Sequence, residues 1–234
     1  MKTANKKDAV SQENPQASKK QEHSEKMENI VAVAIFLLLI FIGAAIFTRG
    51  FGLFGNDLNA GQRVKVPSGD DPYRGSMNAS VVIYVFSDFE CPNCKIGELR
   101  MNAVLQKFPG KWVYIFKNYP LMAIHPFAYN ASLAAMCANE QGKFWEYHDY
   151  LFEHNTQLEA PQLEQYAIDL GLDSQRFNDC FESQRYKGKI DSDIKTGSQI
   201  GVPGTPTFFI NGLPVIGAKS EDEYTRIISE ELKK

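Results

Sequence analysis

Cysteine is scarce in this chain, with four in 234 residues. That is too few for a disulfide-dense secreted scaffold. One Cys-x-x-Cys is present, at Cys91 and Cys94, while Cys137 and Cys180 stand alone. A structural zinc site needs four nitrogen or sulfur ligands, usually as a second close pair, so zinc is the weaker reading of that motif. A basic surface is missing too: from residue 50 onward, 18 basic residues face 23 acidic ones, with no basic stripe. Nucleic acid is therefore not an expected partner. No internal repeat occurs, which excludes solenoids. Residues 1–29 lack aromatics but hold six lysines and five acids, the composition of a disordered tail. Residues 30–48 lack charge altogether.

That uncharged run spans about 28 Å as a helix at ~1.5 Å per residue, enough to cross a bilayer once. The lysines before it outnumber the basic residues just after it, which places the tail inside and the rest outside. The reading is a membrane anchor at 30–48, with the membrane as a partner and the C-terminal domain extracytoplasmic. A cleaved signal peptide ending near Gly43-Ala44-Ala45 is the competing reading. It exports the domain equally.

The Cys-x-x-Cys sits at a structural corner. Val81-Val82-Ile83-Tyr84-Val85-Phe86 is a continuous apolar, β-branched run and reads as a buried strand. After the cysteines, Ile96, Leu99, Ala103 and Val104 recur at helical spacing until Pro109-Gly110. Cys91 thus falls at a helix N-terminus, with Pro92 tolerated in the first turn. Unpaired amides and the positive dipole end there favour an anion and lower a cysteine pKa from ~8.5 into the range of roughly 3.5–7.5. Cys94 follows one turn deeper. The pair reads as a redox dithiol, with Cys91 attacking and Cys94 resolving; two inert buried thiols are the duller alternative, disfavoured because a strand-to-helix corner is not an interior face.

Residues 49–65 read as a linker, with at most a short strand near Arg63–Val66. Lys111–Phe116 gives a second apolar strand, expected parallel to the first because a helix separates them. About 122–200 reads as helical, with Pro126 in a first turn, Phe144, Trp145, His148, Leu151 and Phe152 on one face, and Asp173 as an N-cap. Cys137 and Cys180 lie on apolar faces of two of these helices and are expected to pair; the alternative is two unconnected small hydrophobes. Thr207–Ile210 and Leu213–Ile216 flank Asn211-Gly212, the strongest hairpin signal. Ser220 and Glu223 form a capping box for the last helix.

This order, with Cys-Pro-x-Cys opening the first helix and Gly204-Thr-Pro-Thr-Phe-Phe-Ile-Asn-Gly212 entering the hairpin, resembles the DsbA-like branch of the thioredoxin superfamily, especially its membrane-anchored members. Phe86–Pro92, Tyr119-Pro120-Leu121 and Gln141–His148 add to the likeness, which covers most of 66–234. The resemblance implies an α/β thioredoxin fold over 66–234 with an inserted all-helical domain at about 122–200, preceded by one transmembrane helix. It implies Cys91 as nucleophile, Cys94 as resolving thiol, Pro206 as a cis-proline facing them, and Pro92, Asn93 and Thr205 at the substrate-facing loop. One position departs: relatives carry a buried acid six residues before the first cysteine, and here stands Val85. Either Asp88 or Glu90 is expected to substitute through water, or proton transfer is slower; the duller reading makes both turn residues. His125 and His148 read as structural.

The expected function is a membrane-tethered dithiol oxidase for exported protein thiols. It needs no metal and no cofactor beyond the redox-active disulfide Cys91–Cys94, and is reoxidised by a quinone-linked membrane partner that the resemblance implies. A reductase or isomerase, or a non-catalytic tethered binding or chaperone module, are the rivals.

Overall fold

A computed structural model describes residues 33–37 and 61–234. The expected tail 1–29 and most of the 30–48 anchor lie outside the described residues; 33–37 are helical. Among the described residues no helix is long and apolar enough to cross a membrane. The chain divides into two units, 1–54 and 55–234, and all four cysteines belong to the second.

The centre of that second unit is a five-stranded mixed sheet. The strands are β1 (Tyr73–Gly75), β2 (Val81–Ser87), β3 (Trp112–Asn118), β4 (Thr207–Ile210) and β5 (Leu213–Ile216), in the spatial order β1-β3-β2-β4-β5. β2 and β3 are parallel, as expected of strands joined by the helix α1 (Pro92–Leu105). The remaining pairs are antiparallel. Asn211 and Gly212 both take positive φ, 48° and 82°, and turn β4 into β5. The Asn211 side chain accepts from Val82 N–H at 2.8 Å, which locks this turn onto the start of β2.

Period-two alternation puts different residues of one strand on different faces. Val81, Ile83 and Val85 of β2, with Phe208 and Ile210 of β4, enter the larger core. Phe86 and Phe209 point the other way and pack with Val66 and Val202. Both faces are therefore covered.

Between β3 and β4 run α2 (Ala128–Asn139), α3 (Phe144–Glu153), α4 (Ala160–Asp169), α5 (Ser174–Glu182) and α6 (Lys187–Gln199); α7 (Glu221–Glu231) ends the chain. Asp173 accepts from Arg176 N–H at 3.0 Å as N-cap of α5, and Ser220 and Glu223 cap α7 reciprocally. Cys137 on α2 and Cys180 on α5 are disulfide-bonded, with Cα atoms 5.7 Å apart. Buried Lys117 of β3 pairs with Asp71 at 2.7 Å and Asp193 at 3.4 Å, tying α6 and the segment before β1 to the sheet.

At Arg63–Val66, where at most a short strand is expected, none forms, although Val64 N–H donates to the Gly212 carbonyl at 2.8 Å; the short strand is β1, inside a Pro/Gly-rich stretch too brief to show alternation. Three expectations are corrected. The first helix after β3 begins at Ala128 rather than Pro126, because residues 121–127 turn to meet the site. The helical insert is no separate core: Phe144, Leu151 and Cys180 share one cluster with Val85 and Phe116 of the sheet. Finally, α1 buries Cys94, Gly97, Glu98, Met101, Val104 and Leu105, while Ile96 and Leu99 are 39% and 63% exposed. That buried face has helical spacing but includes a glycine and an acid, which hid it from an apolar-residue reading.

Candidate active site

β2 ends at Ser87, the chain turns through Asp88–Glu90, and α1 starts with Cys91 as its N-cap. Cys91 has extended backbone, φ −75° and ψ 120°, and no side-chain cap of the usual oxygen type. Its carbonyl accepts from Cys94 N–H at 3.1 Å. Both cysteines are free and both are buried, Cys91 at 6% and Cys94 at 0% exposure. The corner thus does not keep them at the surface. Pro92 and Asn93, by contrast, are exposed.

Burial has not made the pair inert. The Cys91 thiol is lowered to about 6, first by the hydrogen bond from the Cys94 side chain, which outweighs the upward push of burial. The amides of Cys94 and Asn93 and the Thr205 side chain lower it further. The helix N-terminus therefore acts through identifiable amides, second to the neighbouring thiol. Cys94 is pushed well above the ordinary thiol range by burial, then by its hydrogen bond to Cys91 and by that thiolate's charge. Ser87, whose hydroxyl is buried, and the Asp88 amide, 3.4 Å from Cys94 Sγ, pull weakly the other way. Such a split gives one thiolate at neutral pH and one protonated thiol.

Across from the dithiol, the Thr205–Pro206 peptide is cis. The Cys91 thiol donates to the Thr205 carbonyl at 3.6 Å. The Pro206 ring packs on α1 at Gly97, where an added Cβ would lie 3.1 Å from Pro206 Cγ and 3.3 Å from Phe208 Cζ. A glycine is what lets this loop and helix approach so closely.

Asp88 and Glu90 sit beside the cysteines with other partners. Asp88 is fully buried; Oδ1 accepts from Glu90 N–H, and Oδ2 accepts from Leu121 N–H, each at 2.8 Å, while His125 Nδ1 lies 2.8 Å from Oδ2. Glu90 accepts from Phe127 N–H at 2.7 Å. Both carboxylates thus clamp the 121–127 turn against the active-site corner, the geometry of turn residues. Val85, at the position where relatives carry an acid, is buried in β2. Sequence reasoning missed Ser87, which acts on the Cys94 thiol from the end of β2. A serine at a strand end carries no signal.

A dithiol that opens a helix opposite a cis-proline loop, on a mixed sheet flanked by helices, defines a thioredoxin-fold redox protein. The chain belongs to the thioredoxin family, which it matches over residues 67–230. Its fold is the DsbA-like form. BdbD from Bacillus subtilis, oxidised, superposes with a TM-score of 0.67 at 22% identity, covering 76% of this chain and 100% of that one. ScsC from Proteus mirabilis, in a transitional conformation, gives 0.63 at 19% identity over 93% and 98%. The thiol-disulfide exchange protein alpha-DsbA2 from Wolbachia pipientis gives 0.60 at 23% identity over 68% and 86%. Among curated proteins, Na(+)/H(+) antiporter NhaA 3 of Salinispora tropica is 38% identical over 149 residues, 64% of this chain. The chain spans 23% of that relative's length, a stretch no longer than the thioredoxin-like region itself. The redox group of this fold is the cysteine pair, here Cys91 and Cys94.

Proposed function

We propose that the chain is a membrane-tethered dithiol oxidase that passes the Cys91–Cys94 disulfide to exported proteins. The observation that carries this reading is the opposed shift of the two thiols, Cys91 lowered to about 6 and Cys94 raised. A stabilised Cys91 thiolate stabilises the reduced dithiol, so the disulfide form is the better oxidant.

The steps derive from that asymmetry. A substrate thiolate attacks Cys91 Sγ; the Cys91–Cys94 bond breaks and its electron pair goes to Cys94. The substrate's second thiolate then attacks its own half of the mixed disulfide and releases Cys91 as a thiolate, a good leaving group because of its low pKa. Two electrons move from substrate to protein. Exposed Pro92 and Asn93, the Thr205–Pro206 loop and apolar Ile96 and Leu99 form the surface a substrate segment meets. The 30–48 run is the tether, with the tail cytoplasmic and this domain outside. A quinone-linked membrane partner reoxidises the dithiol.

Equilibration of the full chain with glutathione buffers tests the direction. A Cys91 pKa of about 6 lies between those of thioredoxin and the most oxidising relatives, so the potential is expected between about −270 and −120 mV. A potential below that interval would make the protein a reductase. The antiporter relatives support a second reading, a tethered module attached to membrane machinery with an incidental dithiol. Undiminished insulin reduction by Cys91→Ser would favour it.

A further inference from the structure

Cys94 takes on charge in a dry place, a difficulty that rests on the proposed dithiol chemistry. When a substrate thiolate attacks Cys91 Sγ, the electron pair of the broken disulfide goes to Cys94 Sγ, and Cys94 is fully buried. An anion formed there is costly unless donors already face it. The first amides of α1 do not supply them, since those of Asn93 and Cys94 act on Cys91. Two groups from the end of β2 meet the Cys94 sulfur instead.

One is the Asp88 amide, which donates to Cys94 Sγ at 3.4 Å. The other is Ser87. It is the last residue of β2, and period-two alternation turns it with Val81, Ile83 and Val85 toward the core that holds Cys94. Its hydroxyl is buried and has no partner of settled geometry among the described residues. The group it acts on is the Cys94 thiol, which it draws downward against the larger push of burial. An unpartnered buried hydroxyl is uncommon and calls for a reason. A hydroxyl rotates, so it can turn its proton to the sulfur when charge appears there.

Both donors are fixed in advance. The Ser87 carbonyl accepts from Tyr119 N–H at 2.8 Å, and Ser87 pairs with Asn118 of β3. The Asp88 carboxylate is held by the amides of Glu90 and Leu121 and by His125, so it is turned to the 121–127 turn while its amide faces the sulfur.

We infer that the Ser87 hydroxyl and the Asp88 amide form an anion hole for Cys94, the leaving group of the first exchange step. As the Cys91–Cys94 bond breaks, its electron pair becomes a Cys94 thiolate that accepts from both donors. No proton moves in that step. The proton Cys94 takes afterwards is matched, through solvent, by the one the substrate's second thiol loses before attacking the mixed disulfide. In reverse, the same donors hold Cys94 as the thiolate that attacks Cys91 Sγ and expels the substrate thiolate. Donors placed where charge develops stabilise the transition state without reorganisation. An amide is present whatever residue stands at 88; the hydroxyl is what Ser87 adds.

The test begins with the full chain carrying Cys91→Ala, in which Cys94 is the only free thiol beside the Cys137–Cys180 bridge. Its thiolate absorbance therefore titrates Cys94 alone. Adding Ser87→Ala is expected to raise that midpoint by ~1 unit, as loss of a hydrogen bond to a charged group would. Ser87→Thr, which keeps the hydroxyl, is expected to restore it. In the oxidised chain with both cysteines, Ser87→Ala is expected to slow reduction by dithiothreitol on the order of 3-fold, because a leaving thiol of higher pKa departs more slowly. Ser87→Thr is again expected to recover the rate. A packing defect alone would slow the reaction without moving the Cys94 midpoint, and that result would overturn the anion hole. So would an equal rise in midpoint with Ser87→Thr. The proton resonances of the Ser87 hydroxyl and Asp88 amide in the Cys91→Ala chain are expected to move downfield as Cys94 ionises. That readout stands even if the Ser87 variants fail to fold, and unmoved resonances would overturn the inference. No reduction of the unmodified oxidised chain by dithiothreitol would instead overturn the dithiol reading.

Discussion

At the scale of single residues, reactivity here is set by what faces each sulfur. Cys91 is lowered by its neighbour Cys94, then by amides and by Thr205, so thiolate absorbance of the reduced chain is expected to titrate near 6. A midpoint at the ordinary ~8.5 would refute that geometry. The same shift gives stability a pH dependence of definite sign. The folded pKa is below the unfolded one, so the thiolate contributes fully above ~8.5, and its contribution falls away as pH drops toward about 6. Chemical denaturation of the reduced chain, minus that of reduced Cys91→Ser, should show this rise between those limits.

At the scale of elements, close approach matters more than propensity. Gly97→Ala improves intrinsic helix propensity by up to ~1 kcal/mol. It also drives a Cβ against Pro206 Cγ and the buried Phe208 ring, at 3.1 and 3.3 Å. Overpacking of that kind costs ~1–3 kcal/mol, so the variant is expected to melt lower and to react more slowly with polypeptide disulfides, because the proline loop is displaced. A higher melting temperature would show that the loop yields freely. The Cys137–Cys180 bridge joins α2 to α5 across 43 residues. Chain entropy puts its contribution at roughly 4 kcal/mol, often less in practice. The double variant Cys137→Ala/Cys180→Ala should therefore melt well below the parent while Cys91 keeps its reaction rate; loss of both together would make the bridge part of the site.

At the scale of the whole molecule, distant segments converge on a few buried charges. Glu231 near the C-terminus receives Arg63 at 2.6 Å from the start of the domain, the Asn211 amide at 3.3 Å from the hairpin turn, and Lys234 at 2.6 Å. Burial pushes this carboxyl up, but the three donors outweigh it and hold it at about 2. A depressed acid stabilises above its unfolded pKa of ~4.3 and loses that contribution as pH falls through the folded value. Glu231→Gln is thus expected to cost up to ~3 kcal/mol at neutral pH, an upper limit since Arg63 is part exposed, and to match the parent near pH 2. A constant difference across pH would show that the loss is one of packing. The sequence by itself determined what short-range chemistry can encode. The β-α-β order, the Asn211-Gly212 turn, the caps at Asp173 and Ser220, and the place of Cys91 at a helix start each depend on residues a few positions apart. The pairing of Cys137 with Cys180 was legible as well, because both fall on apolar helix faces. Only the tertiary structure decided which face of α1 is buried, since that face is completed by Gly97 and Glu98 and is defined by what packs on it. It alone engaged Asp88 and Glu90 with amides more than thirty residues away, and it alone brought His148 of α3 against Glu98 of α1. A side chain's solvation and partners are fixed by segments distant in the chain, and those determine whether a carboxylate caps a turn or lies buried with an oxygen unpaired.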